Sequence, residues 1–133
     1  MDPAVKTAVP HGIRGAWHPR EYALGDGTTY RLEGTLFFGE VDWSAVLCVV
    51  ETGSASWGAG LAGTYSLRDD RLVFTHRVTL SAGDPPPGVP AVSRLIRRDA
   101  GERQEECRIA IADGRLEIRF PTGNAMQFVR SGP

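Results

Sequence analysis

His76 is the residue whose setting most invites chemistry. It stands in the run Leu72-Val73-Phe74-Thr75-His76-Arg77-Val78-Thr79-Leu80, where apolar and polar residues alternate with the period of a β-strand. That period puts Leu72, Phe74, His76, Val78 and Leu80 on one face, and an amphipathic strand turns such a face inward. A buried imidazole must be hydrogen-bonded, and burial and its neighbours set its pKa. Two readings follow. His76 is a polar anchor or general acid–base for a bound molecule, or it is a core histidine satisfied by Tyr65 or a backbone carbonyl. Tyr65 divides the same way: its hydroxyl reaches a carbonyl in a cavity, or it is a core aromatic bonded to backbone.

The other candidates are aromatic. Trp43 and Trp57 border the stretch Thr52 to Gly60, rich in Gly, Ser and Ala, which reads as a loop. Either indole would wall or cover the mouth of a cavity, although Trp43 reads equally well as core. Phe74 shares the face of His76. Phe37 and Phe38 are adjacent, so one points in and one out on a regular strand. The outward one needs cover from a loop or from a second copy of the chain, which points to a homodimer. The candidate ligand-binding set is therefore His76, Tyr65, Phe74, Trp43, Trp57 and Phe37, with His76 and Tyr65 as the acid–base pair of any enzyme.

Other chemistry finds little support. His11 and His18 are not at ligand spacing to His76, and no Cys/His cluster is present, so neither a metal nor another cofactor is expected. No Ser-His-Asp order, phosphate loop or dinucleotide fingerprint occurs, which argues against hydrolases, kinases and oxidoreductases. Glu21, Glu40, Asp42 and Glu117 are acid–base candidates by type alone. Glu117 faces away from Leu116, Ile118 and Phe120, toward solvent, Arg108 or Arg119. Glu21 lies on the side of Trp17 if the strand is regular, but Pro19 invites a bulge that changes the parity.

Strands must position these residues. Short apolar runs recur about every ten residues between turn signals, the rhythm of an all-β sandwich or barrel. Cys107, Ile109 and Ile111 alternate with Arg108 and Ala110, and Asp113-Gly114 links them to Leu116, Ile118 and Phe120 in a strong hairpin signal. Thr122-Gly123-Asn124 turns into a last strand from Ala125 to Arg130. Before these lie a first strand (about Ile13 to Leu24), the turn Asp26-Gly27, a strand with Tyr30 and Leu32, then Gly34 to Phe38, Trp43 to Val50 and Leu61 to Leu67. The segment Asp84-Pro85-Pro86-Pro87-Gly88-Val89-Pro90 is too proline-rich for a central strand. Roughly eight to ten strands with short connections make a single antiparallel up-and-down β-barrel the simplest architecture.

The chain has 133 residues, 41% apolar and 23% charged, with a net charge of -1. That suits one globular domain: residues 12–131 as the barrel, after a flexible segment 1–11. A near-neutral charge predicts no nucleic-acid partner and no anionic membrane. Lys6 is the only lysine beside many arginines, a bias of GC-rich genomes. Residues Met1 to Pro10 have no apolar core of a signal peptide, so a cytoplasmic location is expected. Cys48 and Cys107 then remain as two free thiols.

Gly15-Ala16-Trp17 opens the first strand, and Arg130 ends the last on the face of Met126 and Phe128. This pattern resembles the calycin superfamily, and Gly34-Thr35-Leu36-Phe37-Phe38, Gly63-Thr64-Tyr65 and Phe120 to Arg130 are similar to small bacterial lipocalin-like domains. The resemblance implies that Trp17 and Arg130 close one end, by cation–π stacking worth ~0.5–2 kcal/mol, and that any ligand lies at the other. It implies three functions: a barrel binding a small, largely apolar molecule, a cyclase or isomerase of specialised metabolism, or a filled barrel serving as a structural subunit. The chain lacks the Thr-Asp-Tyr segment and terminal helix of secreted lipocalins, which argues against extracellular transport.

Overall fold

Eight antiparallel strands close on themselves. The structure is a computed structural model that describes residues 12–51, 54–89 and 103–131; the segment 1–11, read as flexible, lies outside them. The strands are β1 (Gly15–Ala23), β2 (Thr29–Phe38), β3 (Asp42–Glu51), β4 (Ser54–Arg68), β5 (Arg71–Gly83), β6 (Arg103–Ala112), β7 (Arg115–Arg119) and β8 (Ala125–Arg130). Each pairs with the next in sequence, and β8 returns to β1. The two segments read as Tyr30-Leu32 and Gly34 to Phe38 are one strand. Gly34 bends it: at φ 125°, with the carbonyl of Val46 occupying the space of a Cβ, only glycine fits. The stretch around Trp57 is a second difference. It belongs to the long strand β4 rather than to a loop, because Trp57 and Ala59 alternate inward opposite Val49 and Leu47.

Trp17 and Arg130 fasten the closure. Trp17 is fully buried, stands opposite Leu36 and Arg130, and donates its indole N–H to the Ile13 carbonyl at 2.8 Å. The Arg130 guanidinium lies 4.0 Å from the indole centroid and donates to the carbonyls of Gly12 and Arg14. A stacked cation thus also satisfies backbone acceptors at the barrel end. Above this base the interior is filled by aromatic rings. Phe38 meets Tyr65 edge-on at 5.0 Å and stacks on Phe74 at 6.1 Å.

Bulges on β1 and β5 reset which of their side chains face in. On β1 the register slips between Pro19 and Glu21, so Trp17 and Pro19 point inward and then Tyr22 does. On β5 Gly63 stands opposite His76 while Ala62 stands opposite Val78, leaving Arg77 as the extra residue. Leu72, Phe74 and His76 are buried as the alternation predicts. Past Arg77 the parity inverts: Thr79 is buried, while Val78 and Leu80, expected inside, are 37% and 49% exposed. They join outward-facing Phe37 and Val46 on the surface of β2, β3 and β5. Cys48 and Cys107 are unbridged. Burial, with Glu105 and Glu106 nearby, pushes the Cys107 thiol up to about 12, so it is a packing group rather than a nucleophile.

Replacing Arg130 by Met keeps an apolar stem over Trp17 but removes the cation and two hydrogen bonds. Urea unfolding is expected to show a loss of about 2–4 kcal/mol; an unchanged midpoint would refute this account of the closure.

Candidate functional site

Beyond the aromatic floor the barrel is hollow. A cavity of about 440 Å³ is lined by side chains from all eight strands, a volume suited to a small organic molecule. It lies at the end opposite Trp17 and Arg130, neither of which lines it. The interior is therefore not the completely filled one that a purely structural subunit would have. Small residues make the room. Ala45 and Ala59 face inward on β3 and β4, where a Leu or Phe would close the space.

The walls are mostly apolar, with polar groups gathered on one side. His76 on β5 is buried, and its Nε2 lies 3.1 Å from the Glu105 Oε1 on β6. An ionised carboxylate only accepts, so Nε2 carries the proton and donates it. Among the described residues neither the Nδ1 of His76 nor the indole Nε1 of Trp43 has a partner, and both atoms are buried. The rings of Trp43 and His76 meet edge-on at 5.2 Å. Arg103, opposite His76 on β6, and Thr122 complete the polar part of the lining with Tyr22.

Tyr22 is held by a buried hub at the mouth. The Nδ2 of Asn124 donates to the Tyr22 hydroxyl at 3.5 Å and to the Gly88 carbonyl at 3.2 Å, while its Oδ1 accepts from the Gly25 N–H at 3.2 Å. One amide thus ties β1, the β1–β2 turn and the proline-rich segment to the β7–β8 turn. Tyr30 adds a second tie, donating to the Pro87 carbonyl at 2.7 Å, and Val89 is folded into the cavity wall. Burial raises the Tyr22 pKa above its usual value; the Asn124 bond opposes that shift, and the Glu105 charge adds to it. Among the described residues the Tyr22 hydroxyl has one hydrogen-bond partner, Asn124, from which it accepts.

Of the residues singled out from sequence, His76, Phe74, Trp43 and Trp57 line one cavity. Tyr65 and Phe37 do not. Tyr65 sits toward the closed end and donates to the Gly39 carbonyl at 2.6 Å, so it is the backbone-bonded core aromatic of the two alternatives. Phe37 is 48% exposed, because its neighbour Phe38 takes the inward position. Glu117 pairs with Arg119 at 2.6 Å on the surface. Tyr22, Glu105 and Arg103 were missed. The inward period Cys107, Ile109, Ile111 runs back to Glu105 and Arg103, so that signal was present; Tyr22 was hidden by the bulge at Arg20. No group of His, Cys, Asp and Glu among the described residues is arranged to hold a metal.

Replacing Asn124 by Ala removes three bonds at the mouth at once. A loss of about 1–3 kcal/mol in chemical denaturation is expected, with faster proteolysis of the Pro86–Val89 segment; a loss under about 0.5 kcal/mol would show that the hub holds nothing.

No protein-family model matches the sequence, and no curated protein matches it. Solved structures do. A lipocalin-like protein from Bacteroides uniformis superposes with a TM-score of 0.55 at 16% identity, over 90% of this chain and 98% of that one. An uncharacterized protein from Bacteroides eggerthii does so with a TM-score of 0.54 at 20% identity, over 89% and 98%. At such identities the shared property is architecture. The chain is a closed eight-stranded antiparallel β-barrel of lipocalin-like fold.

Proposed function

We propose that the barrel binds a small, largely apolar molecule in its interior. The observation that carries this reading is the cavity of about 440 Å³, apolar on most sides, with the His76–Glu105 pair on one wall. A few fixed polar groups on an apolar lining are the usual form of a small-molecule site. The unpartnered nitrogens of His76 and Trp43 support it further. Each buried orphan costs about 1–3 kcal/mol, so a wall meant only for packing would carry carbon at those positions.

The neutral apolar fluorophore N-phenyl-1-naphthylamine provides the test. Its emission is expected to rise on binding the native protein. In the Ala59→Phe variant, whose added ring fills the cavity, affinity falls about tenfold or more while the fold, followed by circular dichroism, is retained. Equal binding by both proteins would place the dye elsewhere and sink the proposal.

One observation favours a second reading, a cyclase or isomerase working by proton transfer. Glu105, a base, and Tyr22, a phenol, line the same cavity. Glu105 would take a proton from a substrate carbon while Tyr22 hydrogen-bonds the oxygen on which charge develops. His76 positions Glu105 in this scheme. A molecule recovered from the protein after incubation in heavy water should then carry deuterium on carbon with the native chain and not with Glu105→Gln. No incorporation by the native chain leaves the binding reading alone.

A further inference from the structure

The polar wall also says which head group the cavity takes. We infer that the molecule bound there is a cation, an ammonium carried on an apolar, ring-bearing body, with its charge on the Glu105 carboxylate. This rests on the binding reading above and gives it a ligand class.

Glu105 is the only carboxylate lining the cavity among the described residues. Its neighbours in sequence and space have cationic partners of their own. Arg71 holds Glu106, and Arg108 holds Asp70 at 2.9 Å. Among the described residues no guanidinium pairs with Glu105; the His76 Nε2 lies on one of its oxygens. Its side chain keeps 22% exposure, facing the hollow rather than a filled core. A half-buried carboxylate without a permanent cation attracts one strongly, because the surrounding medium screens it less than water does. Burial is the main cause that raises the pKa of Tyr22 and of the Cys107 thiol, and the nearby Glu105 charge adds to it.

The walls suit the same charge. Trp43, Phe74 and Trp57 present aromatic rings to the cavity, and Trp43 and Phe74 lie 4.5 Å apart, both packed around His76. Aromatic faces attract an ammonium and do not attract a carboxylate. Among the described residues Arg103 is the one guanidinium in the lining, and it is exposed. It is the group that would favour an anion instead, and the outcome of the test separates the two.

Three probes with one body and different heads decide it: 1-naphthylmethylamine, 1-naphthalenemethanol and 1-naphthoate, titrated calorimetrically at neutral pH into the full chain. The amine is expected to bind about tenfold or more tighter than the alcohol, and the naphthoate more weakly than either. Glu105→Gln keeps the shape and the bond to His76, and it should bring the amine to within about threefold of the alcohol, whose own affinity stays unchanged. Equal affinity of amine and alcohol, tightest binding by naphthoate, or an amine preference that survives Glu105→Gln would each overturn the inference. In those cases binding of the alcohol leaves the proposed function standing. Heat from none of the three would remove both.

Discussion

The pairing of β8 with β1 is the constraint on which the rest of the molecule depends. A sheet of eight strands left open would expose two edges and could not enclose anything. Closure is fastened where Trp17 lies beneath Arg130, with the guanidinium also taking up carbonyls of the entering chain. Because that end is sealed by an indole, an arginine and then the Phe38, Tyr65 and Phe74 rings, free volume collects at the other. The position of the cavity follows from how the barrel is shut.

What the cavity displays is decided by two bulges. A regular β1 running from Trp17 would turn Glu21 inward and Tyr22 out. The extra residue at Arg20 reverses this, burying the phenol in the lining and moving the carboxylate off it. On β5 the extra residue at Arg77 makes His76 the last of its inward series. Gly63 opposite it has no side chain because the Thr75 carbonyl lies where a Cβ would stand. The bulges therefore set the inward places of Tyr22 and His76, and leave the alternation of β6 and β7 intact.

The electrostatics of the interior are correspondingly one-sided. Glu105 is inside by strict alternation from Cys107 and Ile109, and His76 faces it from the neighbouring strand. At the mouth Asn124 holds Tyr22 and draws three segments together. A carboxylate, an imidazole and a phenol thus share a hollow that is otherwise hydrocarbon. That combination distinguishes the site from a plain hydrophobic pocket and frames both the binding and the catalytic readings.

Much of this was legible in the sequence. Period-two alternation and Asp-Gly turns point to antiparallel strands and to the inward places of Phe74 and His76, because these depend on local geometry and residue type alone, while the closed end is what the resemblance carried by Gly-x-Trp and Arg130 implies. The places where reading failed are those where parity depends on a partner strand. Tyr22, Val78 and Leu80 changed sides through bulges, and the Gly-rich stretch around Trp57 became strand because β3 and β5 supply hydrogen bonds along its length. Tyr65 and Tyr22 are both aromatic, and nothing in their types says which one reaches the hollow. Only the closed barrel decides that, because whether an inward side chain meets a ring or an empty space is set by what the other seven strands place across from it.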